Sequence, residues 1–103
     1  MLTIADALAH LGYDEVDDTI MRAVNSELAE ATGYLRGAVG ADVLELMPND
    51  SRVDTLLKAY LDDLHDDRGI TSAKAGNAKR EMIHSVEWQL RLELARIREE
   101  AVV

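Results

Sequence analysis

Apolar residues recur along much of this chain at the three- and four-residue spacing of an amphipathic helix. Three such series are Ile4, Leu8 and Leu11; Val16, Ile20, Val24, Leu28, Ala31 and Leu35; and Val53, Leu56, Leu57, Tyr60, Leu61 and Leu64. Each series would place its apolar side chains on one face of a helix. We therefore predict helices near residues 3–11, 15–36 and 51–67.

The stretch VEWQLRLEL at residues 86–94 alternates apolar and polar residues, as a half-buried strand does. The alternation stops at its ends, whereas a series at helical spacing continues through it: Ile83, Val86, Leu90, Leu94 and Ile97. On a helix, Trp88, Leu92 and Ala95 fall on nearly the opposite side from that series. We predict a helix near residues 78–100 that carries two apolar stripes.

Local signals indicate where these helices begin and end. Thr3 can cap the first helix, with an acidic residue three positions later, and Gly12 can stop it. The second helix is predicted to begin after Asp14 and to be ended by Gly37 and Gly40. Residues 41–50 then form a connection, with a single helical turn before its proline, and residues 70–78 form a loop in which Ser72 or Asn77 caps the last helix.

Together these elements predict an all-α fold, a small multihelical domain of three longer helices plus a short N-terminal helix. The length of 103 residues suits one domain, residues 1–103. The predicted core consists of Ile20, Val24, Leu28, Leu57, Leu61, Leu64, Ile83, Val86, Leu90 and Leu94.

A helix that is apolar on two sides must bury both of them. The stripe that contains Trp88, Leu92 and Ala95 is therefore a candidate subunit interface, and burial by other helices of the same chain is the alternative. Between the stripes, Glu87 and Arg91 have the spacing of a stabilising ion pair.

Charge is distributed unevenly. The net charge is −9, and residues 1–67 hold 15 acidic side chains against 4 basic ones. Nucleic-acid binding by phosphate neutralisation is disfavoured by this balance. Cysteine is absent, so disulfides and thiolate metal sites are excluded. The sequence shows neither a signal peptide nor an apolar run long enough to span a membrane, which favours a cytoplasmic protein.

Candidate chemistry is sparse. His65, Asp66 and Asp67, with His10 and His84 elsewhere, contain the imidazole and carboxylate groups of a metal site. A histidine followed by two aspartates also arises by chance in an acidic helical chain. No cysteine nucleophile, strained serine turn or phosphate-binding glycine loop is apparent. We therefore expect neither an enzyme nor a protein with a bound metal or cofactor.

Two short motifs resemble those of the small phage head–tail connector proteins, head-completion adaptors named for a Gln-Leu-Arg-Gly motif. The matching residues are Asp66, Asp67, Arg68 and Gly69, followed by Gln89, Leu90 and Arg91. Leu92 stands where the family name has Gly, and Asp67 where Asn is common. Arg68 is expected to pair with neighbouring acids or cap carbonyls at the end of the third helix.

The resemblance implies a non-enzymatic helical protein that assembles as a homo-oligomeric ring. Such a ring is assembled in the host cytoplasm and docks beneath the portal protein of the virion. It joins head to tail, contacts tail or head-completion proteins and lets DNA pass without sequence-specific binding. Two rival hypotheses remain: an acidic helical regulator, adaptor or DNA mimic that binds a basic protein, and a small metal-dependent hydrolase.

Overall fold

The computed structural model describes residues 2–65 and 73–102, with the backbone alone at 73–79 and 102. Within those ranges the chain forms helices and no strand, which confirms the predicted all-α multihelical class and the helical assignment of residues 86–94. The helices are α1 (Ile4–His10), α2 (Asp18–Ala38), α3 (Val43–Leu46), α4 (Ser51–His65) and α5 (Ala73–Val102).

The first helix begins with the predicted capping box. The Thr3 hydroxyl accepts a hydrogen bond from the backbone N–H of Asp6, and the Asp6 carboxylate accepts one from the backbone N–H of Thr3, both at 3.1 Å. These bonds lower the pKa of the Asp6 carboxyl, because they favour its charged form. Gly12 follows the helix with a φ of +88°, a left-handed conformation that glycine adopts without steric cost.

The predicted ends of α2 are wrong by a few residues. Asp17, and not Asp14, caps its amino end, because the Asp17 carboxylate accepts a 2.8 Å hydrogen bond from the backbone N–H of Ile20. At the other end the helix continues through Gly37 to Ala38, since glycine weakens a helix without forcing it to stop. The predicted helical turn before the proline is confirmed as α3.

The last helix begins earlier than its sequence predicts. Residues 73–78 are helical and do not belong to a loop, so Asn77 lies inside α5 and is not its cap. Alanine and lysine, strong helix formers, supply most of this segment and outweigh Gly76. The other proposed cap, Ser72, lies outside the described residues.

The core lies where α4 packs against α2 on one side and α5 on the other. Of the predicted core, Val24, Leu57, Leu61, Ile83, Leu90 and Leu94 are buried, and Ile20, Leu28, Leu64 and Val86 are partly buried against it. The connection after α2 adds apolar groups that the predicted core did not include: Val39, Val43, Leu44 and Met47.

The carboxyl half of α5 is fastened to that connection by polar contacts as well. Arg91 donates a 2.5 Å hydrogen bond to the backbone carbonyl of Ala38, and Arg98 pairs with the Asp42 carboxylate. The Arg98 guanidinium lowers the pKa of the Asp42 carboxyl. These contacts fix which side of α5 faces inward and therefore which side faces solvent.

Candidate interaction surface

The outer side of α5 carries a stripe of exposed apolar side chains. Trp88 is 57% exposed and Leu92 is 54% exposed, and Ala95 is exposed one turn farther along. Leu90 and Leu94, on the opposite side of the same helix, are fully buried. We call Trp88, Leu92 and Ala95 the outer stripe; the described helices of the chain leave it open to solvent, and its role as a subunit interface stays a prediction.

The second motif of the resemblance is divided between the surface and the core. Gln89 is exposed, Leu90 is fully buried, and Arg91 is an exposed residue whose guanidinium bonds the end of α2. Leu90 and Arg91 therefore help to hold α5 in place. The first motif, residues 66–69, lies outside the described residues, and so does the expected role of Arg68.

The predicted pairing of Glu87 with Arg91 is replaced by other contacts. Glu87 is only 8% exposed and accepts a 2.5 Å hydrogen bond from the hydroxyl of Tyr60 on α4. The Arg91 guanidinium donates instead to the backbone carbonyl of Ala38. The sequence interpretation placed Glu87 between the stripes, but its position four residues after Ile83 turns it towards the core side of the helix.

Two of the three histidines of the metal-site hypothesis, His65 and His10, have hydrogen-bond partners within the fold, and His84 is exposed. His65 contacts the Glu27 carboxylate through Nδ1 at 2.9 Å and the Tyr13 hydroxyl through Nε2 at 3.0 Å. His10 contacts Asp62 at 2.8 Å. Among the described residues, which exclude 66–72, no group of three or more histidine, aspartate and glutamate side chains could hold a metal ion.

A cleft of about 470 Å³, which the sequence analysis did not predict, lies between α2, α4 and α5. It is lined by Tyr34, Tyr60, Asp63, Leu64, Arg80, Ile83, His84 and Glu87. The rings of Tyr34 and Tyr60 have centroids 6.1 Å apart. Burial and the hydrogen bond to Glu87 raise the pKa of the Tyr60 hydroxyl well above its ordinary value. We call this site the tyrosine–glutamate cleft.

Comparison with models of protein families, with curated proteins and with solved structures finds no match to this chain. Among the described residues, no helix has the length and apolar character needed to cross a membrane. A functional hypothesis therefore rests on the outer stripe, the tyrosine–glutamate cleft and the resemblance in the two motifs.

Proposed function

We propose that this chain is a structural phage protein that forms a homo-oligomeric ring beneath the portal, joins the head to the tail and lets DNA pass. The observation that carries the proposal is the outer stripe, where Trp88 and Leu92 are each more than half exposed on a continuous helix. The motif resemblance supplies the biological setting, and the all-α fold is compatible with it.

The outer stripe has the chemistry of an interface centre. Tryptophan is enriched among residues that dominate binding energies, and a neighbouring leucine one turn away adds apolar area that association would remove from water. In a ring, each subunit uses two different surfaces, one for each neighbour. The outer stripe would be one of them, since the inner side of α5 is already occupied by the core.

Charge supports passage of DNA through such a ring. Residues 1–67 hold 15 acidic side chains and 4 basic ones, a net charge of −11, and residues 68–103 carry +2, which gives −9 for the chain. Acidic side chains along a channel repel phosphate and prevent the DNA from adhering to its wall.

The proposal is tested by a Trp88→Ala, Leu92→Ser double variant. We expect it to remain helical by circular dichroism and to lose the oligomer that light scattering detects for the unaltered protein, alone or with portal protein. A Val16→Ser, Met21→Ser variant is the matched control, because it removes two exposed apolar side chains far along the chain from α5.

Each outcome decides between hypotheses. If the control assembles and the Trp88→Ala, Leu92→Ser variant does not, the outer stripe is supported as a subunit interface. Unfolding of the double variant would mean that the outer stripe is part of the hydrophobic core of a single subunit. Unchanged assembly, or an unaltered protein that stays monomeric with portal protein present, would contradict the proposed ring.

A further inference from the structure

We propose that the tyrosine–glutamate cleft binds an arginine side chain presented by a basic partner protein. This inference goes beyond the ring and does not depend on it, because none of the residues that line the cleft belongs to the outer stripe. It stands on three features of the cleft: a buried carboxylate, a pair of tyrosine rings and an apolar floor.

Glu87 supplies the carboxylate. The residue is 8% exposed and lines the cleft, and the hydrogen bond that its carboxylate receives from the described residues comes from the Tyr60 hydroxyl. A carboxylate can accept about four hydrogen bonds. Glutamate is rarely buried to this degree unless it is paired. A guanidinium group in the cleft would supply further donors and the opposite charge.

Two tyrosines and two aliphatic residues match the remainder of an arginine side chain. Tyr34 is 60% exposed and its ring lies beside that of Tyr60, so the Tyr34 ring is accessible to a planar cation. Ile83 and Leu64 provide an apolar surface for the methylene groups that arginine buries while its charged end finds polar partners.

The charges of the cleft distinguish a cation from an anion as its occupant. Arg80 and His84 also line the cleft, but both are exposed, and water and salt screen them effectively. Glu87 is buried, so its charge is screened least. An anionic ligand would meet this carboxylate in the interior, whereas a cationic one would neutralise it.

The net charge of the chain favours a basic protein as the source of the arginine. With a net charge of −9, the chain attracts a basic protein at long range, which accelerates their encounter. The occupant is therefore assigned as an arginine on an exposed segment of a basic protein.

The site is tested with N-acetyl-arginine amide as the probe and N-acetyl-citrulline amide as its neutral isostere. Binding is followed by amide chemical-shift changes in the full-length protein. We expect saturable changes at Tyr34, Tyr60 and Glu87, and affinity for the citrulline compound that is about tenfold lower, because it lacks the charge-assisted contact.

Variants assign the binding to the cleft. Glu87→Gln retains an acceptor for the Tyr60 hydroxyl but removes the charge, and Tyr34→Ala removes an exposed ring; each should weaken arginine binding about tenfold. Glu99→Gln, an exposed glutamate on the same helix, is the matched control and should leave binding unchanged.

Equal affinity for the citrulline compound, or binding that survives Glu87→Gln, would overturn the proposal. Equal affinity for choline would show a site for small organic cations and would overturn the assignment to a protein side chain. The Trp88→Ala, Leu92→Ser variant should bind the arginine compound normally, which separates failure of this site from failure of the ring.

Discussion

Tyr60 on α4 donates a 2.5 Å hydrogen bond to the buried carboxylate of Glu87 on α5. The contact joins the two helices at a point where both are otherwise packed through aliphatic side chains. Its geometry leaves the Glu87 carboxylate at the edge of the tyrosine–glutamate cleft. One hydrogen bond therefore contributes both to the packing of α5 and to the chemistry of the cleft.

Removing the Tyr60 hydroxyl should destabilise the protein. We expect Tyr60→Phe to lower the free energy of unfolding by about 1–3 kcal/mol, because a buried carboxylate loses its hydrogen-bond donor. Urea unfolding measures the change. Tyr34→Phe is the control and should have little effect, since the Tyr34 side chain is largely exposed. Equal losses in the two variants would contradict the structural role of the Tyr60–Glu87 contact.

The same contact predicts a dependence on alkaline pH. Burial and Glu87 raise the pKa of Tyr60 in the folded protein, while an unfolded chain loses the tyrosine proton near pH ~10. Above that pH the folded state binds more protons than the unfolded state, so stability falls as the pH rises. Tyr60→Phe should show a shallower fall, measured by urea unfolding as the pH increases. If the free energy of unfolding fell equally steeply with pH in both proteins, the raised pKa of Tyr60 would be contradicted.

The helices were predictable from sequence because their apolar periodicity survives in the folded packing. Leu90 and Leu94 are buried, whereas Trp88 and Leu92 in the outer stripe are exposed, because the two pairs lie on different sides of one helix. Helix ends were less predictable. Asp14 and Asp17 are chemically equivalent candidates for a cap, and only the folded backbone shows that Asp17 bonds the first turn.

The tyrosine–glutamate cleft could not be predicted, because it requires three helices in their final arrangement. Nothing in the local sequence brings Tyr60 to Glu87, which is 27 residues away along the chain. The spacing of Glu87 and Arg91 suggested instead a local pair on one helix. Tertiary contacts with α4 and with the end of α2 supply stronger alternatives to that pair.

The two sides of α5 should respond differently to the same truncation. Leu90→Ala should lower the free energy of unfolding by about 2–5 kcal/mol, because it opens a cavity in a fully buried site. Leu92→Ala, two residues later and exposed, should be nearly neutral in a dilute monomer. Chemical denaturation of both variants provides the comparison, and similar costs would show that the inward side of α5 has been assigned wrongly.

Two glycines should also respond in opposite directions when replaced by alanine. A Cβ atom at Gly40 would lie 2.6 Å from Cδ2 of the buried Leu94, so Gly40→Ala should cost about 1–3 kcal/mol through overpacking. Gly33 lies inside α2 with nothing within 4 Å of such an atom. Gly33→Ala should therefore stabilise the helix by about 0.5–1 kcal/mol. Thermal unfolding tests both, and a stabilising Gly40→Ala would contradict the close crossing of α5.

Fluorescence of Trp88 should report directly on assembly. Trp88 is the single tryptophan of the chain, so the emission requires no separation from other indoles. In a dilute monomer the exposed ring should emit at the long wavelengths of an indole in water and be readily quenched by iodide. As concentration rises or portal protein is added, we expect a shift to shorter wavelength and protection from quenching, because the ring leaves water. A Leu92→Ser variant should show the monomer signal and no shift over the same range. Assembly detected by light scattering without any change at Trp88 would place the subunit interface elsewhere on the molecule.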